Sequence, residues 1–129
     1  MHAHGTFEVK MASLAAYNAE PAAQLGRASL DKNFRGDLEG TSQGEMLTAG
    51  SPQSGSAGYV AVERVTGTLQ GKRGSFALQH HATMHAGTFS LQVIVVPGSG
   101  TDDLKGLRGT MQIAIADGRH SYALDYDFE

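Results

Sequence analysis

Residues 110–128 read TMQIAIADGRHSYALDYDF, and their pattern decides the fold class. Met111, Ile113 and Ile115 alternate with small or polar residues. After Asp117-Gly118, Tyr122, Leu124, Tyr126 and Phe128 alternate in turn. A period of two sets one group of side chains on one face of an extended chain. Asp-Gly between two such runs is the strongest short-range signal for a two-residue hairpin turn. This end of the chain therefore reads as an antiparallel hairpin with one apolar face.

The same pattern recurs upstream. Residues 89–96 form the most apolar segment, stopped by Pro97-Gly-Ser-Gly100. Residues 75–84 follow a bend flanked by Gly67 and Gly71, and 59–68 carry Val60, Val62 and Val65. Residues 38–49 are softened by Gly40 and Gly44. In the segment 27–35, Ala28, Leu30 and Phe34 share a face, and Phe7, Val9 and Met11 align within 5–12. Residues 13–25, alanine-rich and broken by Pro21, read as a loop with at most one helical turn. Residues 50–58, rich in Ser, Gly and Pro, read as a mobile loop. Eight strands with short connections and no helix must hide their edges, and a closed up-and-down antiparallel barrel does so. The sandwich is the structural alternative.

The 129 residues fit one domain, 1–129, with enough chain to bury a core. Ten Lys and Arg are scattered and the net charge is -3, so no basic stripe faces a nucleic acid. The absence of cysteine excludes disulfides and thiolate chemistry. Met1-His-Ala-His-Gly5 has neither the basic segment nor the apolar run of a signal peptide, and no apolar stretch is long enough for a membrane helix. The expectation is a cytoplasmic protein that binds neither membrane nor nucleic acid.

Gly40-Thr-Ser-Gln-Gly44 matches the G-x-S-x-G of serine hydrolases, but lacks the strand-to-helix turn that exposes such a serine. It reads as a glycine-bent strand. Gly67-Thr-Leu-Gln-Gly71-Lys72 falls one residue short of a phosphate loop. His80 aligns with Phe76 and Leu78 on one face while His81 points the other way, and no zinc-protease spacing is present, so no metal and no cofactor is expected. His120, just past the Asp117-Gly118 turn, falls at a rim. Glu63 shares a face with Tyr59, Ala61 and Val65, whereas Glu39 and Glu45 align with Thr41 and Gln43. A carboxylate turned into a lumen is expected to have a raised pKa and could serve as acid or base.

Several segments together resemble a bacterial family, the domain-of-unknown-function family 3224. They are residues 34–46 (FRGDLEGTSQGEM), 58–63 (GYVAVE), 74–80 (GSFALQH), 96–101 (VPGSGT), 107–111 (LRGTM) and 117–126 (DGRHSYALDY). The resemblance covers nearly the whole chain in order. That family looks like a relative of the allene oxide cyclase and dirigent barrels, because 97–101 is similar to their Gly-Gly-Thr-Gly turn. The resemblance implies an eight-stranded antiparallel barrel, often oligomeric, here a homodimer or homotrimer. It carries over no catalytic residue.

Three readings of function follow. The first is a binding module in which Tyr59, Glu63, Phe76, Leu78, His80, Tyr122 and Tyr126 line a pocket for a small, largely apolar ligand. The second is an isomerase-, cyclase- or hydrolase-type enzyme, with His80 as general acid or base and Glu63 as its partner. A structural role, with outward apolar residues buried in an oligomer, is the third.

Overall fold

The computed structural model describes residues 1–129, the side chain of Pro52 excepted. Eight strands follow one another in chain order: β1 (His2–Leu14), β2 (Leu25–Gly36), β3 (Leu38–Ser51), β4 (Ser56–Leu69), β5 (Lys72–His85), β6 (Thr88–Val95), β7 (Leu107–Ala116) and β8 (Arg119–Phe128). Each pairs antiparallel with the next, and β8 pairs with β1 to close the barrel. Short 3₁₀ turns at Pro21–Ala23, Pro52–Ser54 and Asp102–Leu104 lie in the connections.

Two-residue turns explain the tight hairpins. At Gln70-Gly71, Ala86-Gly87 and Asp117-Gly118 both residues have positive φ, the type I′ arrangement whose twist matches that of the strands it joins. The glycine of each pair takes that conformation without a steric penalty. The Ser- and Gly-rich stretch 50–58 differs from the expected loop. Gly50 and Ser51 pair with Ala57 and Ser56 in the β3–β4 ladder, which shortens the connection to 52–55. Ladder hydrogen bonds here override weak strand propensity.

Register fixes the barrel's shape. Hydrogen-bonded neighbours run from Ala12 through Ser29, Glu45, Val62, Gln79, Ile94, Thr110 and Asp125, and return to β1 at His2, ten residues from the start. For eight strands this stagger sets a tilt of about 40° and a radius of about 8 Å, an interior that side chains can largely fill.

The two ends differ. At one end Leu38, Leu69, Leu107 and Leu124 are fully buried, and Leu104 from the last 3₁₀ turn completes a plug. A middle layer of aromatic rings joins Phe7 to Phe34 (centroids 5.4 Å apart) and Phe34 to Tyr122 (5.7 Å). At the other end, the mouth, alternation still points Met11, Phe89 and Ile115 inward. Yet they are 60%, 60% and 66% exposed. Nothing in the barrel covers them.

Candidate functional site

Between plug and mouth, four polar side chains converge inside the barrel. Glu63 on β4 accepts hydrogen bonds from Ser42 Oγ (2.7 Å to Oε1), Lys32 Nζ (2.7 Å to Oε2) and His80 Nε2 (2.6 Å to Oε2). All four residues are buried. The Lys32 ammonium also lies over two aromatic faces, 4.9 Å from the Phe7 centroid and 5.9 Å from that of Phe34. Such faces attract a cation.

The ladders bring these groups together. The β2–β3 register sets Lys32 opposite Ser42, and the β4–β5 register sets His80 opposite Ala61, one inward position from Glu63. Gly44 faces Glu63 across β3–β4. A Cβ on Gly44 would overlap the Val62 carbonyl oxygen and stand 2.6 Å from Glu63 Cα, so only glycine lets the two strands approach this closely.

The electrostatics correct one expectation. Burial alone would raise the Glu63 pKa, as expected for a lumen carboxylate. The His80 hydrogen bond, the Lys32 charge and the hydrogen bonds from Lys32 and Ser42 outweigh that effect and hold it at about 2. Glu63 is thus an ionised anchor rather than a proton donor. Because it accepts from His80 Nε2, that nitrogen carries a proton, and Nδ1 is the ring nitrogen Glu63 does not engage.

Above this charged floor the inward positions of β3, β4 and β5 are small: Gly44, Ala61 and Ala82. Nearer the rim, Thr48, Ala57, Tyr59, Ala82, Met84 and Phe89 line a cavity of about 390 Å³. Burial first, and then the Glu63 charge, push the Tyr59 hydroxyl above its usual pKa. A larger concavity of about 590 Å³ lies on the outer wall, where Asp31, Thr41, Gln43, Arg64 and Thr66 alternate away from the lumen, and Lys32 and Ser42 of the floor also border it.

The residues expected from sequence are spread through the barrel. Glu63 and His80 are in direct contact at the floor, and Tyr59 is half-buried at the mouth. Phe76 and Leu78 are packed in the core. Tyr122 and Tyr126 point inward toward the plug. There Tyr122 Oη accepts from the Leu38 amide (2.9 Å) and bonds the Arg35 carbonyl (3.0 Å), while Tyr126 Oη bonds Gln70 Oε1. His120 packs against Phe7 at the rim, and Glu39, Glu45 and Asp125 face outward. Two floor residues were not anticipated, Lys32 and Ser42. The signal for Lys32 was the alternation Ala28, Leu30, Lys32, Phe34; for Ser42 it was its place between Gly40 and Gly44, out of phase with Thr41 and Gln43.

Comparison with known proteins finds a family and a solved structure that resemble the chain. Residues 3–126 match the profile of a family described as "Protein of unknown function (DUF3224)". A crystal structure of a DUF3224 protein of unknown function from Shewanella oneidensis MR-1 is 48% identical, with a TM-score of 0.94 over 100% of this chain and 97% of that one. No curated protein matches the chain.

Proposed function

The chain belongs to the DUF3224 family, and from that premise we propose that it is a binding barrel whose mouth takes a small, largely apolar molecule over the Lys32–Glu63–His80 floor. One observation carries this reading. Inward-facing Met11, Phe89 and Ile115 are left uncovered at one end of a barrel whose other end is plugged. Apolar surface directed into a concavity and open to water is a ligand-shaped deficit. A cavity of about 390 Å³ lies near the lower end of the usual range of ligand pockets and suits a compact guest. The floor lies below that cavity, and a polar group on a guest that reaches past Ala61 and Ala82 would meet Lys32 N–H donors and His80 Nδ1.

The same floor supports a second reading. Glu63 fixes the His80 tautomer, so Nδ1 of the neutral ring could accept a proton from a bound substrate. We also propose a kinship of fold with allene oxide cyclase-like barrels, supported by the eight-strand up-and-down order and the Pro97–Thr101 turn; it carries over no activity. No helix is long and apolar enough to cross a membrane. We take the protein to work in the cytoplasm, as a homo-oligomer joined through its outer wall.

Titration with Nile red tests the binding reading. Wild-type protein is expected to bind the dye saturably at one site. Ala57→Phe, which fills the cavity from its half-buried rim, is expected to weaken binding by about tenfold or more without lowering the unfolding midpoint. Non-saturable fluorescence, or equal affinity in the variant, would overturn it.

A further inference from the structure

The barrel wall is not uniformly zipped. Among the described residues, β6 and β7 are joined through Val93 with Met111 and Ile94 with Thr110. The β7–β8 ladder, by contrast, runs from Leu107–Phe128 to Ala116–Arg119. Toward the mouth the facing edges of β6 and β7 leave backbone N–H and C=O groups to solvent, and open edges of this kind favour pairing.

The open part is matched for closure. Continued toward the mouth, the existing register sets Leu91 opposite Ile113 and Phe89 opposite Ile115. It ends with Thr88 opposite Ala116, the first residue of β6 and the last of β7. Both segments are already extended strand, so zipping needs no change of secondary structure. The inward positions that would close over the mouth, Phe89, Leu91, Ile113 and Ile115, are all apolar. The positions that stay outside, Ser90, Gln92, Gln112 and Ala114, are polar or small and carry no repelling charge.

We propose that the β6–β7 seam is a clamp: it admits the apolar guest sideways into the mouth and zips over it, making Phe89, Leu91, Ile113 and Ile115 part of the binding site. This inference rests on the binding reading above. Leu91 and Ile113 already pack against the core, and without a guest closure would leave Phe89 and Ile115 over an unfilled mouth. A guest supplies the packing partner that makes the additional backbone pairs worth forming. The route favours an elongated or flat apolar molecule that can pass between two strands.

The absence of cysteine makes the seam easy to lock. In Ser90→Cys/Ala114→Cys the two thiols lie on the outer face, three positions beyond the last existing β6–β7 pair, Val93 with Met111. They come within disulfide reach only when the strands are in the zipped register. Nile red is expected to accelerate disulfide formation, read as the loss of two mass units. Once oxidised without dye, the variant is expected to take dye up about tenfold or more slowly, and dithiothreitol to restore the rate. Backbone amides at 88–92 and 112–116 of wild type should gain exchange protection when dye is bound. Three results would overturn the clamp: no disulfide with or without dye, equal uptake by oxidised and reduced protein, or no protection gained at the seam. If reduced and wild-type protein both fail to bind dye saturably, the binding reading itself fails.

Discussion

Replacing Glu63 by Gln tests whether the buried cluster is an ion-pair anchor. The carboxyl is held at about 2 against an ordinary value of 4.5. At about 1.4 kcal/mol for each tenfold in acidity, the folded state gains on the order of 3 kcal/mol from the ionised form. The sign follows from the direction of the shift. A depressed carboxyl pKa contributes stability that is fully present above 4.5 and lost as pH falls toward 2. In Glu63→Gln this contribution is gone, and Lys32 remains buried without its counter-charge. Breaking a buried pair on one side costs about 3–5 kcal/mol. Guanidinium unfolding at pH 7 should therefore show a midpoint well below wild type. The difference in unfolding free energy between the two proteins should shrink as the pH is lowered from 5 to 2.5. The exposed carboxylates Glu45 and Asp127, also lowered by their Arg27 and Arg108 partners, titrate in both proteins and drop out of that difference. An unchanged midpoint at pH 7, or a pH-independent difference, would refute the reasoning.

Three further outcomes follow from particular contacts. Gly44→Ala is expected to destabilise by about 2 kcal/mol or more, because its methyl group would strike the Val62 carbonyl and the Glu63 backbone; thermal unfolding reads this directly. Tyr122→Phe leaves the buried Leu38 N–H without the phenolic acceptor and is expected to cost about 1–3 kcal/mol in chemical denaturation, with dye binding at the mouth unchanged. On the outer wall Leu47 pairs with Val60 across β3–β4 and Val62 lies nearby, all more than half exposed. If they join copies of the chain, Val60→Lys should lower the mass measured by light scattering, and an unchanged mass would place any interface elsewhere.

Much of the fold was legible because the strands alternate without a bulge. Each ladder keeps a constant register, so the face of Phe76, Leu78 and His80 could be read by counting in twos. Strand ends were less legible. Ser51 and Ser56–Gly58 have loop-like composition, and they are strand because their neighbours pair with them. The candidate site was half legible. Glu63 and His80 stood on apolar faces. Lys32 sits among Asp31, Asn33 and Arg35, where a charged residue looks solvated; its partner Glu63 is 31 positions away and is brought near by the β2–β3 and β3–β4 ladders. The Glu63 pKa ran opposite to expectation because burial was visible in the sequence and its donors were not. The splayed β6–β7 seam had no local signal, since both segments carry good strand patterns and differ only in what they pair with.

Where an apolar molecule sits on the barrel tests the binding mouth most directly. Crystals grown with a brominated alkane would locate the bromine by its anomalous signal. A peak inside the mouth, among Tyr59, Ala82, Met84 and Phe89 and above His80, is the predicted result. A peak confined to the outer wall near Leu47 and Val60, or no peak at saturating alkane, would contradict the claim that the barrel's mouth is a binding site.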